Sequence, residues 1–240
     1  MGQSWSQFQH RKNAKALLEL APTATPGRSA PLPNLDRPTL ESALTNVGDY
    51  LTRKKKTITV IAVGGAVNTI FLKSRTSTHD VDFYNNRLTV AEFGYLMSAA
   101  KDAVGRDPQL NEGWFNNHTV FFIPQAQRDA LTDQAFAQNE VIFQHGGLRV
   151  LAAPWKYAFC CKIDRLAGGG VVAAQSYDLS DAVHYLARYL AQQKLTSVPL
   201  ATVKQWFTGY SLRWTANNDG VIKRLNAAYK TKYGVEKVIT

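Results

Sequence analysis

Residues 60–84, V-I-A-V-G-G-A-V-N-T-I-F-L-K-S-R-T-S-T-H-D-V-D-F-Y, decide the fold. An apolar run of strand length stops at Gly64 and Gly65, a short apolar segment over Ala66–Lys73 reads as a helix, and D-V-D-F-Y reads as a second strand. Side chains alternate along a strand. Asp80 and Asp82 therefore project from one face, while Val81 and Phe83 enter the other. Two neighbouring carboxylates repel unless water or a divalent cation lies between them, and Mg²⁺ characteristically takes one or two carboxylates together with phosphate oxygens of a substrate. Gly64 and Gly65, between strand and helix, let backbone N–H groups approach a phosphate without a side chain intervening. The stretch reads either as a nucleotide-and-metal cradle or as a tight turn followed by a solvated strand edge.

Outward from this segment, the pattern is a small mixed α/β core followed by a helical C-terminal part. Leu40, Leu44, Val47 and Leu51 form a helical stripe that Arg53–Lys56 closes with positive charge, and Thr57–Val63 is a buried strand. Thr89 and Glu92 make a capping box for a helix with Val90, Phe93, Met97, Ala100 and Val104 inward. Thr119–Ile123 reads as a strand, and Val141–Phe143 with Leu148–Ala152 as a hairpin around H-G-G. Helices are expected at about 154–167, 177–193, 199–209 and 219–233. Residues 21–38 hold five of the nine prolines and read as a linker. The expected organisation is a basic N-terminal segment and linker over 1–38, an α/β core over 39–153 and a helical region over 154–240.

With 240 residues, 45% of them hydrophobic, the chain can bury a sizeable core. No apolar run approaches the roughly 18–20 residues of a membrane span, and the first residues lack the apolar centre of a secretory signal, so a cytoplasmic setting is expected. Cys160 and Cys161 are the only cysteines and adjacent, which excludes a disulfide framework and leaves buried thiols. His10, His118, His145 and His184 share no spacing that would build a zinc site, and no G-x-S-x-G, Walker A or G-x-G-x-x-G motif occurs. The net charge of +10 sits in the flanks: +5 over residues 1–56, −1 over 57–193 and +6 over 194–240. Such flanks are either solvated or attracted to a polyanion such as RNA, or to an anionic membrane. Trp206, Phe207, Tyr210 and Trp214 interleave with Lys204 and Arg213, as a stacking surface for single strands or as a core face.

G-G followed by R-T-S-T-H-D-V-D resembles the signature of the DNA polymerase β-like nucleotidyltransferase superfamily, in particular its branch of AbiEii-type toxins. W-F-N-N (114–117), G-L-R-V (147–150), A-F-C-C-K-I-D-R (158–165) and Y-D-L-S-D (177–181) follow in similar order. The resemblance covers about residues 57–193. It implies a metal-dependent transfer of a nucleoside monophosphate from a nucleoside triphosphate to an acceptor hydroxyl on RNA, protein or a small molecule. Asp80 and Asp82 would hold Mg²⁺ or Mn²⁺, Gly64, Gly65, Asn68, Arg75 and Thr78 would bind the nucleotide, and Lys162 would neutralise the leaving pyrophosphate. One extra residue separates Arg75 from Thr78, the gap from Gly65 to Asp80 is long, and the usual third acid is replaced by candidates. These are Glu140, at a strand edge, and Asp178 and Asp181. A catalytically silent module that keeps this fold and binds nucleic acid or a protein is the alternative.

Three side chains can be weighed without the resemblance. Lys162 lies on the apolar stripe of its helix with Trp155, Ala158, Phe159 and Leu166, so it either snorkels from the core edge or meets phosphate or carboxylate in a cleft. Asp178 and Asp181, in the first turn of a helix, are either caps or members of a site. Finally, M-G-Q-S-W-S fits the pattern for N-myristoylation at Gly2, with Arg11, Lys12 and Lys15 as the second signal that stable membrane attachment requires.

Overall fold

A computed structural model describes residues 32–169 and 173–240. Gly2, the basic residues Arg11, Lys12 and Lys15, and the linker up to residue 31 lie outside the described residues. The chain divides after Ala152 into two compact units. No described helix is long and apolar enough to cross a membrane.

The first unit is a mixed α/β fold whose sheet is organised around the opening stretch. Strand β1 (Leu35–Asp36) leads directly into helix α1 (Arg37–Arg53), where the Asp36 side chain accepts from Thr39 N at 3.0 Å. The chain is therefore ordered before residue 39, because Leu35 is buried and Asp36 caps the helix. The expected stripe of α1 is fully buried, joined by Ala43 and Gly48. Strand β2 (Ile58–Val63) is central. Strand β3 (Ser77–Thr78) pairs antiparallel with β1, and β4 (Val81–Tyr84) runs antiparallel to β2 with Val63 opposite Asp82. Strand β5 (Phe115–Asn116) pairs parallel with β4; β6 (Val141–His145) and β7 (Leu148–Ala152) form the expected hairpin, and β7 lies parallel to β2. The sheet order is β5-β4-β2-β7-β6. Helix α2 (Val90–Arg106) carries the expected capping box, with Thr89 N donating to Glu92 Oε2 and Glu92 N donating to Thr89 Oγ1. Helix α3 (Arg128–Gln138) was not expected.

Two expectations need correction here. Helix α2 buries Phe93 and Ala100 as expected but adds Leu96, Ala99 and Ala103, while Val90 is 45% exposed and Met97 and Val104 are only half-buried, so the core face is rotated from the expected stripe. Thr119–Ile123 is not a strand. The edge strand ends at Asn116, Asn117 leaves the extended conformation, and His118–Phe122 form a 3-10 turn with Val120 N bonded to Asn117 O and Ile123 N to Val120 O. The β-branched and aromatic composition suggested a strand, but Asn116 Oδ1 accepts from His118 N at 2.9 Å and turns the chain first.

The second unit is helical: α4 (Trp155–Leu166), α5 (Asp178–Gln193), α6 (Leu200–Gly209) and α7 (Ala216–Tyr233). Helix α7 starts three residues earlier than expected because Thr215 N donates to Asn218 Oδ1 at 2.7 Å, a cap built from an Asn. Its C-terminal tail returns beside Val198, with Thr240 N bonded to Val198 O at 3.0 Å. The interleaved aromatics serve the core: Trp206 meets Phe159 and Tyr189 edge-on, Phe207 meets Trp214, and Lys204 lies over the Trp214 ring. Cys160 is buried and free on α4, and burial raises its thiol well above the usual range, which keeps it protonated.

Candidate functional site

In β4 the alternation is as expected. Val81 and Phe83 are fully buried, with Phe83 stacked on Phe115 at 4.4 Å between centroids, and Asp80 and Asp82 are half-buried on the other face. The register Val63–Asp82 brings the end of β2, where Gly64 begins the turn, alongside the acid-bearing strand. Asn116, opposite Asp82 in β5, donates through Nδ2 to Asp80 Oδ2 at 3.3 Å and to Gly113 O at 3.1 Å. It is 5% exposed. Burial pushes the Asp80 carboxyl up against the opposing influence of Asn116, His79 and His118. Burial, followed by repulsion from Asp80, raises Asp82 to about 7. Two carboxylates in this condition favour either a shared proton or a cation. His79 is exposed and its Nδ1 lies 3.1 Å from Pro33 O.

The glycine segment differs in detail from the expectation. The expected helix Ala66–Lys73 is a short helical segment over 65–71 whose last five residues, Val67–Phe71, widen into a π turn, and it is too short to offer the N-terminal field of a long helix. Asn68 is fully buried and holds the loop: its Nδ2 donates to Gly64 O at 2.8 Å and its Oδ1 accepts from Ser74 Oγ at 2.9 Å. Asn68 is thus a loop clamp that fixes the turn beside Gly64. Gly65, Arg75 and Thr78 do come together. A Cβ on Gly65 would overlap Thr78 Oγ1, lie 2.8 Å from Thr78 Cβ and stand 3.5 Å from an Arg75 guanidinium nitrogen. Gly65 is therefore glycine for close packing. Gly64 is glycine for its φ of +65°, and no heavy atom lies within 4 Å of where its Cβ would sit. Gly65→Ala is expected to lose about 2–3 kcal/mol through overpacking, and Gly64→Ala about 1 kcal/mol through backbone strain alone. Urea unfolding of the two variants checks this, and equal losses would refute the assignment.

Within the second unit, Lys162, Asp178 and Asp181 gather between α4 and α5. Lys162 Nζ lies 2.6 Å from Asp178 Oδ1 and 2.8 Å from Asp181 Oδ2; Lys162 is 4% exposed and both aspartates are fully buried. Arg165 Nε approaches Asp178 Oδ2 at 3.6 Å, and Gln175 N donates to the same oxygen at 2.9 Å. Burial raises the Asp178 carboxyl, but Lys162, the Gln175 N–H and Arg165 together outweigh it, and the group lies below the usual carboxylate range. These aspartates are more than helix caps. The Lys162 charge is met by two carboxylates, which gives it an internal role in holding α4 to α5.

Glu140 stands just before β6, at the sheet edge three strands from β4, and its carbonyl accepts from Ala152 N. Among the described residues no group of three or more His, Cys, Asp or Glu side chains gathers to hold a metal ion. Asp80 and Asp82 stand as a pair, without Glu140 as a third acid. The residue that sequence reasoning missed is Asn116. Its signal was present in W-F-N-N, where a polar residue follows two aromatics and leaves the strand pattern.

Over residues 34–236 the chain matches a family model described as a domain of unknown function (DUF7582). No curated protein and no solved structure matches it.

Proposed function

The chain belongs to the DUF7582 family, and from its site we propose a metal-dependent nucleotidyltransferase that moves a nucleoside monophosphate from a nucleoside triphosphate to an acceptor hydroxyl on RNA, protein or a small molecule. One observation carries the reading: Asp80 and Asp82 are adjacent, half-buried and both raised above the ordinary carboxylate range beside an open glycine turn. Desolvated like charges are costly, and a hard divalent cation relieves both at once. A pair of carboxylates suits Mg²⁺ or Mn²⁺, which complete their shell with water and phosphate oxygens and supply charge neutralisation on the triphosphate.

The chain's own residues divide the remaining work. Asn116 holds one oxygen of Asp80 at 3.3 Å, and the other oxygen would ligate the cation. Gly64 keeps the space beside the acids clear of a side chain, and Arg75 and Thr78, gathered at Gly65, supply a guanidinium and a hydroxyl to phosphate. The acceptor hydroxyl gives up its proton to water as its oxygen bonds the α-phosphorus, and the bond from that phosphorus to the α–β bridging oxygen breaks, releasing pyrophosphate. Thermal shift with nucleoside triphosphates, with and without Mg²⁺ or Mn²⁺, tests the binding. A ligand at a hundred times its Kd contributes about 2.7 kcal/mol, and no stabilisation in any metal sinks the reading. Transfer of an α-labelled nucleotide then tests the chemistry.

The lone acid pair favours a second reading, a silent module of this fold whose basic flanks bind RNA or another polyanion. Metal-independent RNA binding without nucleotide transfer distinguishes it. For location, we propose a cytoplasmic protein that is drawn to membranes when Gly2 is myristoylated. In a eukaryotic host carrying the acyltransferase, intact-mass analysis is expected to show loss of Met1 and gain of one acyl chain; an unmodified N-terminus removes the anchor.

A further inference from the structure

Phe121 and Phe122 are 55% and 59% exposed, two sequence-adjacent phenylalanines on the turn that packs against the acid-bearing strand β4. Single exposed apolar residues are ordinary on protein surfaces, but these two sit on a turn that is fixed at both ends. At one end, Asn116 bonds Asp80 through Nδ2 and receives His118 N on Oδ1, so the acid pair and the turn share one anchor. At the other end, Arg128 Nε donates to Ile123 O at 3.0 Å and its Nη2 to Val120 O at 2.9 Å, clamping the carbonyls that flank the two phenylalanines. The turn packs against β4 itself. Five residues separate Asn116 from Phe121, which limits their distance to about 17 Å if fully extended, and the 3-10 geometry shortens it.

We propose that Phe121 and Phe122 form a stacking platform for the base of the nucleoside triphosphate whose phosphates lie at Asp80 and Asp82. The proposal rests on the nucleotide reading given above. The chemistry fits a base: every nucleobase offers a flat face to an aromatic ring, so the platform supplies affinity with little selectivity among bases. Clamping by Arg128 prepares the rings before the ligand arrives, so that binding need not first order the turn. A nucleoside triphosphate would meet both features, its phosphates at the acid pair through a cation and its base on the turn that packs against the same strand.

The test is binding by the full chain in Mn²⁺ of two probes, ATP and inorganic tripolyphosphate, measured by calorimetry for wild type, Phe121→Ala/Phe122→Ala and Phe121→Trp/Phe122→Trp. Wild type is expected to bind ATP more tightly than tripolyphosphate. The alanine pair is expected to weaken ATP about 5- to 150-fold, the loss of one stacked base, and to leave tripolyphosphate unchanged. The tryptophan pair is expected to retain ATP binding. If wild type binds the two probes equally, or the alanine pair binds ATP as wild type does, the platform is refuted while the acid-pair reading stands. If wild type binds neither probe, both fall. Both pairs replace exposed side chains, and their unfolding transitions, expected within a few degrees of wild type, confirm that a lost affinity is not a lost fold.

Discussion

Asp80→Asn combined with Asp82→Asn is expected to abolish metal-dependent triphosphate binding and, in metal-free buffer, to raise the melting temperature above that of wild type at neutral and alkaline pH. Burial and mutual repulsion hold the Asp82 carboxyl at about 7, and burial raises Asp80. In the unfolded chain both titrate near 4. A group whose folded value is raised binds more protons in the native state, so its contribution to stability is favourable below about pH 4 and is lost as pH rises towards 7. Above pH 7 the wild type carries two desolvated charges, whereas the amides carry none and can still accept from Asn116. The linkage corresponds to a gain on the order of 2–4 kcal/mol for the double variant at pH 8, shrinking towards zero at pH 4. Added Mn²⁺ should stabilise wild type and leave the variant unmoved. A variant that melts well below wild type in metal-free buffer at pH 8 would show that the carboxylates support the fold, and the cation reading would fail with it.

What could be read in the sequence depended on the distance over which each residue finds its partners. Alternation in D-V-D-F-Y is a local property, so the faces of Asp80 and Val81 follow from strand geometry, and the 3.6-residue stripe of α1 likewise needs nothing beyond its own helix. The turn at Thr119–Ile123 also answers to local chemistry, but to that of Asn116 and Asn117, which outweighed the strand preference of Thr, Val, Phe and Ile. Helix α3 escaped because only Leu131, Thr132 and Ala135 are buried along it, too few to give a stripe among its polar residues. The candidate site divides in the same way. The acids and the glycine turn were visible as a pattern, whereas the inward rotation of Asn68 onto Gly64 and the reach of Asn116 to Asp80, 36 positions away, required the fold.

Lys162 shows that limit most sharply, and it carries the largest stability effect. From the helical stripe alone, Lys162→Met would replace a core-edge side chain with one of similar length at little cost. The structure reverses this expectation. Removing the ammonium takes from the fully buried Asp178 and Asp181 the cation that lies 2.6 Å and 2.8 Å from them, while Arg165 stays 3.6 Å from Asp178. Breaking a buried pair from one side costs about 3–5 kcal/mol, because a buried charge then loses a close counter-charge without regaining water. Sign and pH window follow from Asp178, whose folded carboxyl lies below the ordinary range. In wild type its contribution is present above about pH 4 and disappears as pH falls through its lower folded value. In Lys162→Met the Asp178 carboxylate loses the counter-charge that lowered it, so the deficit is expected to be greatest near pH 8 and to narrow towards pH 4. Lys162→Met/Asp178→Asn/Asp181→Asn should recover much of the loss, since amides bring no charge into the interior and Asn at 178 still offers an oxygen to the Gln175 N–H. Urea unfolding at pH 5 and pH 8 separates the outcomes. A single variant as stable as wild type at both would mean that the cluster is not held as a buried ion network, and Lys162 would again be free to serve as the phosphate ligand that its position in the sequence suggested.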